Sequence, residues 1–293
     1  MKFLYKKILS DGFAKGEISL METKDLDRLT NLVSNLRAEQ IKENSTSPFL
    51  KLVGKNEELD SLLEKLISNK YVQDALNVLV GKDYLMMAPT ARFSSPGDKG
   101  LELHQDAIGE TGFLFLLTNQ NPGSTIMFKS SHKFPGRIAN KLSWNSNKLI
   151  NFISFFSSSI NGKKGDFYFW FHKTWHGRKA NLSSENEHIS LFFPFFPQSA
   201  NRIDVAEENT DSIKKTNNTY LKELMQQKIS KISNIQNSEE KPLSIEIEKF
   251  SIKKDLLSKN FLLFLIKFIF FEIVFLPIRI LRIFKKINRK KNS

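Results

Sequence analysis

Few residues in this 293-residue chain have the types and spacing for chemistry, and most of them are histidines. Five occur, at His104, His132, His172, His176 and His188, and there is no cysteine. That absence removes disulfide-linked partners, thiolate metal sites and a cysteine nucleophile. In Leu103-His104-Gln105-Asp106 an imidazole and a carboxylate stand two residues apart. On a strand, residues i and i+2 share a face, so both side chains reach one ion. Further along, Gly165-Asp166-Phe167-Tyr168-Phe169-Trp170-Phe171-His172-Lys173-Thr174-Trp175-His176-Gly177 reads as a turn, an apolar strand and a histidine at its far end. Two imidazoles and one carboxylate on one face of a non-haem Fe(II) leave three positions open, enough for a chelating cosubstrate and dioxygen. A barrel of strands can bring His104, Asp106 and His176 together, although spacing alone does not say so. His172 is expected to play a structural or supporting part, His132 to order a loop, and Trp175 to wall the pocket or fill the core.

A scaffold has to bring these positions together. From about residue 18 to residue 88 apolar residues recur at helical spacing, as in Leu29, Leu32, Val33 and Leu36, and again in Leu62, Leu63, Leu66 and Ile67. Between Ala91 and Phe196 the pattern changes to short apolar runs separated by clusters such as Ser94-Ser95-Pro96-Gly97 and Asn161-Gly162-Lys163-Lys164-Gly165. Strands bounded by turns, in an antiparallel sandwich or barrel, are the natural reading. The 26 phenylalanines fall largely in dense runs, which require burial on both faces or contact with lipid. Residues 199–258 lose the aromatics and gain Asn, Lys, Glu and Ser, the composition of a spacer with local structure.

Charge and hydropathy set further bounds. Hydrophobic residues at 40% and charged residues at 26% exclude wholesale disorder and a polytopic membrane protein. The net charge of +13 is concentrated at the end: Arg279, Arg282, Lys285, Lys286, Arg289, Lys290 and Lys291 lie there with no acidic residue among them. They follow the nearly continuous apolar segment from Phe261 to Pro277, interrupted by Lys267 and Glu272. On a helical projection of about 100° per residue the charges occupy one side of the cylinder, the pattern of a helix lying in an anionic leaflet. A single span is the alternative, and nucleic acid is disfavoured because the cations sit beside Phe and Ile. The first ten residues hold no apolar run of the ~7–15 residues a secretory signal needs, so a cytoplasmic location, peripheral on the inner face of a membrane, is expected.

Four ordered blocks carry a family resemblance. Leu101-Glu102-Leu103-His104-Gln105-Asp106-Ala107 comes first, followed by Glu110-Thr111-Gly112 with Gly123-Ser124 and Ser130-Ser131-His132-Lys133. Gly165-Asp166 through His176-Gly177 comes third, and Asn181 with Ser183 completes the set. Together they resemble the phytanoyl-CoA dioxygenase family of Fe(II)/2-oxoglutarate oxygenases. Upstream, Leu76-Asn77-Val78-Leu79 and Val80-Gly81-Lys82-Asp83 are similar to the helix and turn that precede that family's core. The resemblance implies a mainly β fold with N-terminal helices: a double-stranded β-helix, the cupin-like jelly roll. It also implies Fe(II), 2-oxoglutarate and dioxygen as cofactor and cosubstrates, with His104, Asp106 and His176 on the iron.

Where that family usually carries an Arg for the far carboxylate of 2-oxoglutarate, about eleven residues after the distal histidine, this chain has Asn186-Glu187-His188. Arg178 is the first substitute on charge permanence and proximity; His188, Lys129 and Arg92 are the others, and Asn181 stands at a family position near the cosubstrate. The expected organisation is a helical layer over 1–90, a jelly-roll core over 91–198, a polar spacer over 199–258 and a C-terminal amphipathic, membrane-associating helix over 259–293. The expected activity is hydroxylation of a lipid, a lipid-linked glycan or another amphiphilic small molecule. A jelly-roll binding or scaffold protein without cosubstrate, and a metal-dependent cupin enzyme that does not use 2-oxoglutarate, are the alternatives.

Overall fold

The computed structural model of the chain describes residues 2–43, 45, 47–98, 100–120, 125–133, 158–181, 186–227 and 266. Its longest strand shows why the phenylalanine runs exist. His188–Pro197 is buried along its whole length, and a run with no polar alternation requires cover on both sides. This strand, β11, lies inside the larger of two sheets. In chain order the strands are β1 (Phe13–Lys15), β2 (Phe49–Lys51), β3 (Tyr84–Met86), β4 (Thr90–Ser94), β5 (Leu101–His104), β6 (Thr111–Leu116), β7 (Thr125–Met127), β8 (Ser158–Ser159), β9 (Phe167–Phe171), β10 (His176–Arg178) and β11. Among the described residues the larger sheet runs β1-β9-β6-β11-β4-β2, with β3 also paired to β11, and the smaller runs β5-β10-β7-β8. Every pairing between these strands is antiparallel.

The two faces of the large sheet pack differently. Phe113, Phe115, Phe167, Phe169, Phe193 and Phe195 join one core with the helices. The alternate residues Leu114, Leu116, Tyr168, Trp170 and Phe192 point the other way and pack with Met127 of the small sheet. The result is a two-sheet jelly-roll sandwich with a helical cover on its outer face, as the sequence reading expects.

The cover is α1 (Lys2–Asp11), α2 (Thr23–Lys42), α3 (Glu57–Ile67) and α4 (Lys70–Leu79). Asn56 caps α3 by accepting from Glu58 and Leu59 N–H, and Asn69 caps α4 by accepting from Tyr71 N–H. Leu59, Leu63, Leu66 and Ile67 then face the core at helical spacing. After α4 the chain turns at Gly81, whose φ of 106° suits glycine.

Two boundaries differ from the sequence reading. The N-terminal layer is not purely helical, since β1, β2 and β3 come from it and join the large sheet. Residues 203–225 are not spacer: α5 (Ile203–Lys215) and α6 (Thr219–Met225) pack on the core through Val205, Leu221 and Met225. The buried Asn209 explains why a polar composition misled. Its side chain accepts from Ala88 N–H at 2.7 Å and donates to Met86 O and Met225 O, both at 2.8 Å, tying α5 to β3 and α6. No helix among the described residues is long and apolar enough to cross a membrane. The C-terminal helix expected over 259–293 lies outside the described residues, apart from residue 266.

Candidate metal centre

Register builds the site. His104 ends β5, His176 opens β10, and the two are direct cross-strand partners in the small sheet. Cross-strand partners project to the same face, which brings the rings to 4.3 Å between centroids. Asp106 follows two residues beyond the end of β5. There Asp106 N–H donates to His172 O at 3.0 Å and Gln105 Nε2 to Lys173 O at 2.7 Å, pinning the turn to the segment between β9 and β10. Asp106 Oδ1 lies 3.7 Å from His104 Nε2 and 3.3 Å from His176 Nε2. One donor atom from each of the three residues lies within 4.8 Å of the others. Donors about 2.1 Å from a shared ion stand roughly 3 to 3.5 Å apart; the Asp106–His176 separation matches this, the His104 separation is slightly wider, and the cluster could hold one metal ion.

The surroundings prepare each donor. His176 Nδ1–H donates to Thr174 O at 2.9 Å, which fixes the ring with the buried Nε2 facing Asp106. Trp170 Nε1–H donates to Asp106 Oδ2 at 2.7 Å and leaves Oδ1 for the ion. The indole fits because its cross-strand partner is Gly112, where an added Cβ would come 2.4 Å from the ring. Burial opposes ionisation of Asp106, but His176, His104 and the indole outweigh it and hold the carboxyl well below the usual carboxylate range. The ligand is therefore ionised at neutral pH. Glu110 behaves oppositely: burial, reinforced by Asp106, pushes its carboxyl well above the usual value.

Behind Thr174 lies a second buried histidine. His132 donates from Nε2 to Leu9 O at 3.1 Å, and Thr174 Oγ1 donates to Gly12 O at 2.8 Å. Gly12, at φ 89°, lets the backbone pass so close that a Cβ there would come 2.6 Å from His132 Nδ1. Burial lowers His132 to about 3, so it is neutral. The expectation that His132 orders a loop thus has a concrete form, a clamp between the end of α1 and the residue that orients His176. His172 contributes through its backbone, donating to Glu110 O and accepting from Asp106 N–H. Trp175 is buried against Phe128 and belongs to the core.

A cavity adjoins His176, with Arg92, Ser94, Arg178, His188 and Ser190 as polar lining and Phe49, Leu114 and Trp170 as apolar walls. The five candidate cosubstrate residues separate here. Arg178, ranked first on sequence proximity, is engaged elsewhere: it donates to Phe93 O at 3.0 Å and pairs with Asp98 at 2.6 Å. Burial, helped by Arg178, lowers His188, so at neutral pH it brings no positive charge. Lys129 is exposed and lines no part of the cavity. Asn181 donates to Ser94 O at 2.6 Å and Asn186 O at 2.8 Å, a bracing role for the loop. Arg92 reaches the cavity with its guanidinium 3.7 Å from the Phe192 ring centroid. Glu187 does not face inward: it accepts from Ser95 Oγ at 2.6 Å and lies 3.5 Å from Arg37 Nη2.

Sequence reasoning missed Trp170 as a partner of Asp106, although it is the one residue of β9 with an N–H to offer from its side chain. It also gave no role to Ser94 and Ser190, which look like ordinary strand residues.

No protein-family model matches the sequence, and no curated protein matches it. Solved structures match in fold. AviO1 from Streptomyces viridochromogenes Tue57 is 12% identical with a TM-score of 0.51, over 67% of this chain and 94% of that one. HygX from Streptomyces hygroscopicus, solved with nickel and 2-oxoglutarate bound, is 13% identical with a TM-score of 0.53, over 67% of this chain and 87% of that one. EctD from S. alaskensis, solved with 2-oxoglutarate and 5-hydroxyectoine, is 13% identical with a TM-score of 0.54, over 66% and 75%. The chain thus has the jelly-roll fold of proteins crystallised with a metal or with 2-oxoglutarate. Identities this low speak for the fold alone, and the His-Asp-His cluster stands on its own geometry.

Proposed function

We propose that the protein is a non-haem Fe(II)/2-oxoglutarate-dependent oxygenase acting as a hydroxylase. The observation that carries this reading is the cross-strand pair His104 and His176 with Asp106 between them, three donors in a sheet-defined arrangement beside a cavity. HygX and EctD, with 2-oxoglutarate bound in the same fold, support it. When bound, iron with 2-oxoglutarate and dioxygen supplies the oxidising power to hydroxylate a C–H bond while the keto acid leaves as succinate and carbon dioxide.

The chain's own residues hold and orient. His104, Asp106 and His176 would hold the ion, Trp170 engages Asp106 Oδ2 by a hydrogen bond, and Thr174 orients the ring of His176. Retention of Asp106 keeps a carboxylate where a halide would otherwise bind, which favours hydroxylation over halogenation. The substrate is a small or lipid-like amphiphile, and residues 259–293 hold the enzyme to a membrane surface on its cytoplasmic side; both parts rest on the apolar and basic pattern of that segment.

The test is anaerobic titration of the Fe(II) protein with 2-oxoglutarate, following the weak visible charge-transfer band of a chelated keto acid. The band is expected with the native protein and lost in His176→Ala. Iron binding without a band would favour a cupin enzyme that does not use the keto acid. Failure to bind iron would leave a jelly-roll binding protein.

A further inference from the structure

The inner face of the large sheet carries a buried guanidinium with no hydrogen-bonded counter-ion. Among the described residues Arg92 makes neither an ion pair nor a hydrogen bond, and its guanidinium stacks on Phe192 with Phe49 5.8 Å away on the cavity rim. Asp106 acts on this guanidinium only at a distance; a desolvated cation without a hydrogen-bonded counter-charge is costly, and an arriving anion would relieve it. Around Arg92 the register sets out a compact polar block. Arg92 on β4 pairs with Ser190 on β11, and Ser94, two residues along β4, pairs with His188. All four line the cavity beside His176. Arg92 Nε, Ser94 Oγ and His188 Nδ1 are buried without a hydrogen-bond partner. One fixed cation with neutral hydroxyls and a neutral imidazole matches a single carboxylate, which a guanidinium binds through two parallel hydrogen bonds.

We propose that Arg92, supported by Ser94 and Ser190, anchors the far carboxylate of a dicarboxylic keto acid chelated at the metal centre, a role moved from β11 to the neighbouring strand β4. The inference rests on the oxygenase reading above. It accounts for Glu187 at the position eleven residues after His176. That side chain turns away to Ser95 and Arg37, so the family's usual position for this cation is used for bracing and the cation comes from across the strand pair. It also explains why Arg178 is not available, since Asp98 and the Phe93 carbonyl occupy it. Phe192 acts as a positioning residue that holds the guanidinium plane on the cavity wall.

Two keto acids test this: 2-oxoglutarate and 2-oxobutyrate, which chelates a metal the same way but lacks the far carboxylate. Their dissociation constants for the anaerobic Fe(II) protein are read from the charge-transfer band. The native protein is expected to prefer 2-oxoglutarate by about 10- to 100-fold, the value of a charge-assisted pair. Arg92→Gln should bring the preference close to one while leaving 2-oxobutyrate affinity within about threefold, and Arg178→Gln should keep the native preference. If Arg92→Gln retains the preference, or Arg178→Gln abolishes it, the assignment is overturned and the oxygenase reading stands. If the native protein gives no band with either acid, both fall together. Arg92→Met covers a folding failure of the Gln variant, because it keeps an apolar stem against Phe192 and removes the charge; an undiminished preference there also overturns the assignment.

Discussion

Acid should weaken this protein through one histidine, and the size of the effect follows from its burial. His132 is 2% exposed and lowered to about 3, against an ordinary value near 6.5 in the unfolded chain. Between those values the unfolded state binds one proton more than the folded state, so stability rises with pH across the window and is flat above it. Relative to neutral pH, His132 alone costs on the order of 3 kcal/mol at pH 4.5. The perturbation that isolates it is His132→Gln, whose amide retains a donor for the Leu9 carbonyl but does not titrate. Urea denaturation of both proteins from pH 7.5 to pH 4.5 is the assay. Carboxylates common to the two cancel in the difference, so the native curve should fall toward the variant's by about 1.4 kcal/mol per pH unit below pH 6. Parallel curves would refute the argument, as would an NMR titration of His132 near 6.5. The clamp it forms with Leu9 and Gly12 lies directly behind Thr174, so acid should also loosen the hold on His176.

Three further outcomes are expected. Trp170→Phe removes the hydrogen bond to Asp106 Oδ2 and should weaken Ni(II) or Co(II) binding about 10- to 100-fold in a competition titration; unchanged affinity would show that the indole does not tune the carboxylate. Asn209→Ala leaves Ala88 N–H, Met86 O and Met225 O without their side-chain partner and should cost on the order of 3 kcal/mol in urea unfolding, with a loss below about 1 kcal/mol counting against the tie between α5 and β3. Deleting residues 259–293 should move the protein from the membrane to the soluble fraction, and persistent retention would place the attachment on another surface.

The metal cluster was legible in sequence only with the help of the family resemblance: the two-residue spacing of His104 and Asp106 is a weak signal by itself, and the register that sets His176 opposite His104 belongs to the fold. The proposed carboxylate anchor, Arg92, stood in the sequence only as one of several substitutes, because Thr90-Ala91-Arg92-Phe93-Ser94 contains nothing to show that its arginine faces a cavity. That depends on Ser190 lying opposite on β11, a contact across nearly a hundred residues. Arg178 was overrated for a related reason: proximity along the chain does not reveal Asp98 waiting in a turn of another segment. The docking of α5 and α6 on the core was hidden because the side chain that ties them is an asparagine, polar in any hydropathy count yet fully satisfied inside. The phenylalanine runs, by contrast, stated their own requirement, and the sandwich meets it with a core on each side of the sheet.

The three residues of β1 have an importance beyond their length. Phe13, Ala14 and Lys15 pair with Trp170, Phe169 and Tyr168, and Lys15 is fastened to Asp166 at 2.5 Å. They close the open side of β9, a wholly buried run of aromatic residues. Without them its backbone donors and acceptors would form a bare template beside exposed rings, the sort of edge that recruits a second chain into a shared sheet. These residues thus guard against self-association, and any expression design that trims or crowds them risks trading a folded protein for aggregate.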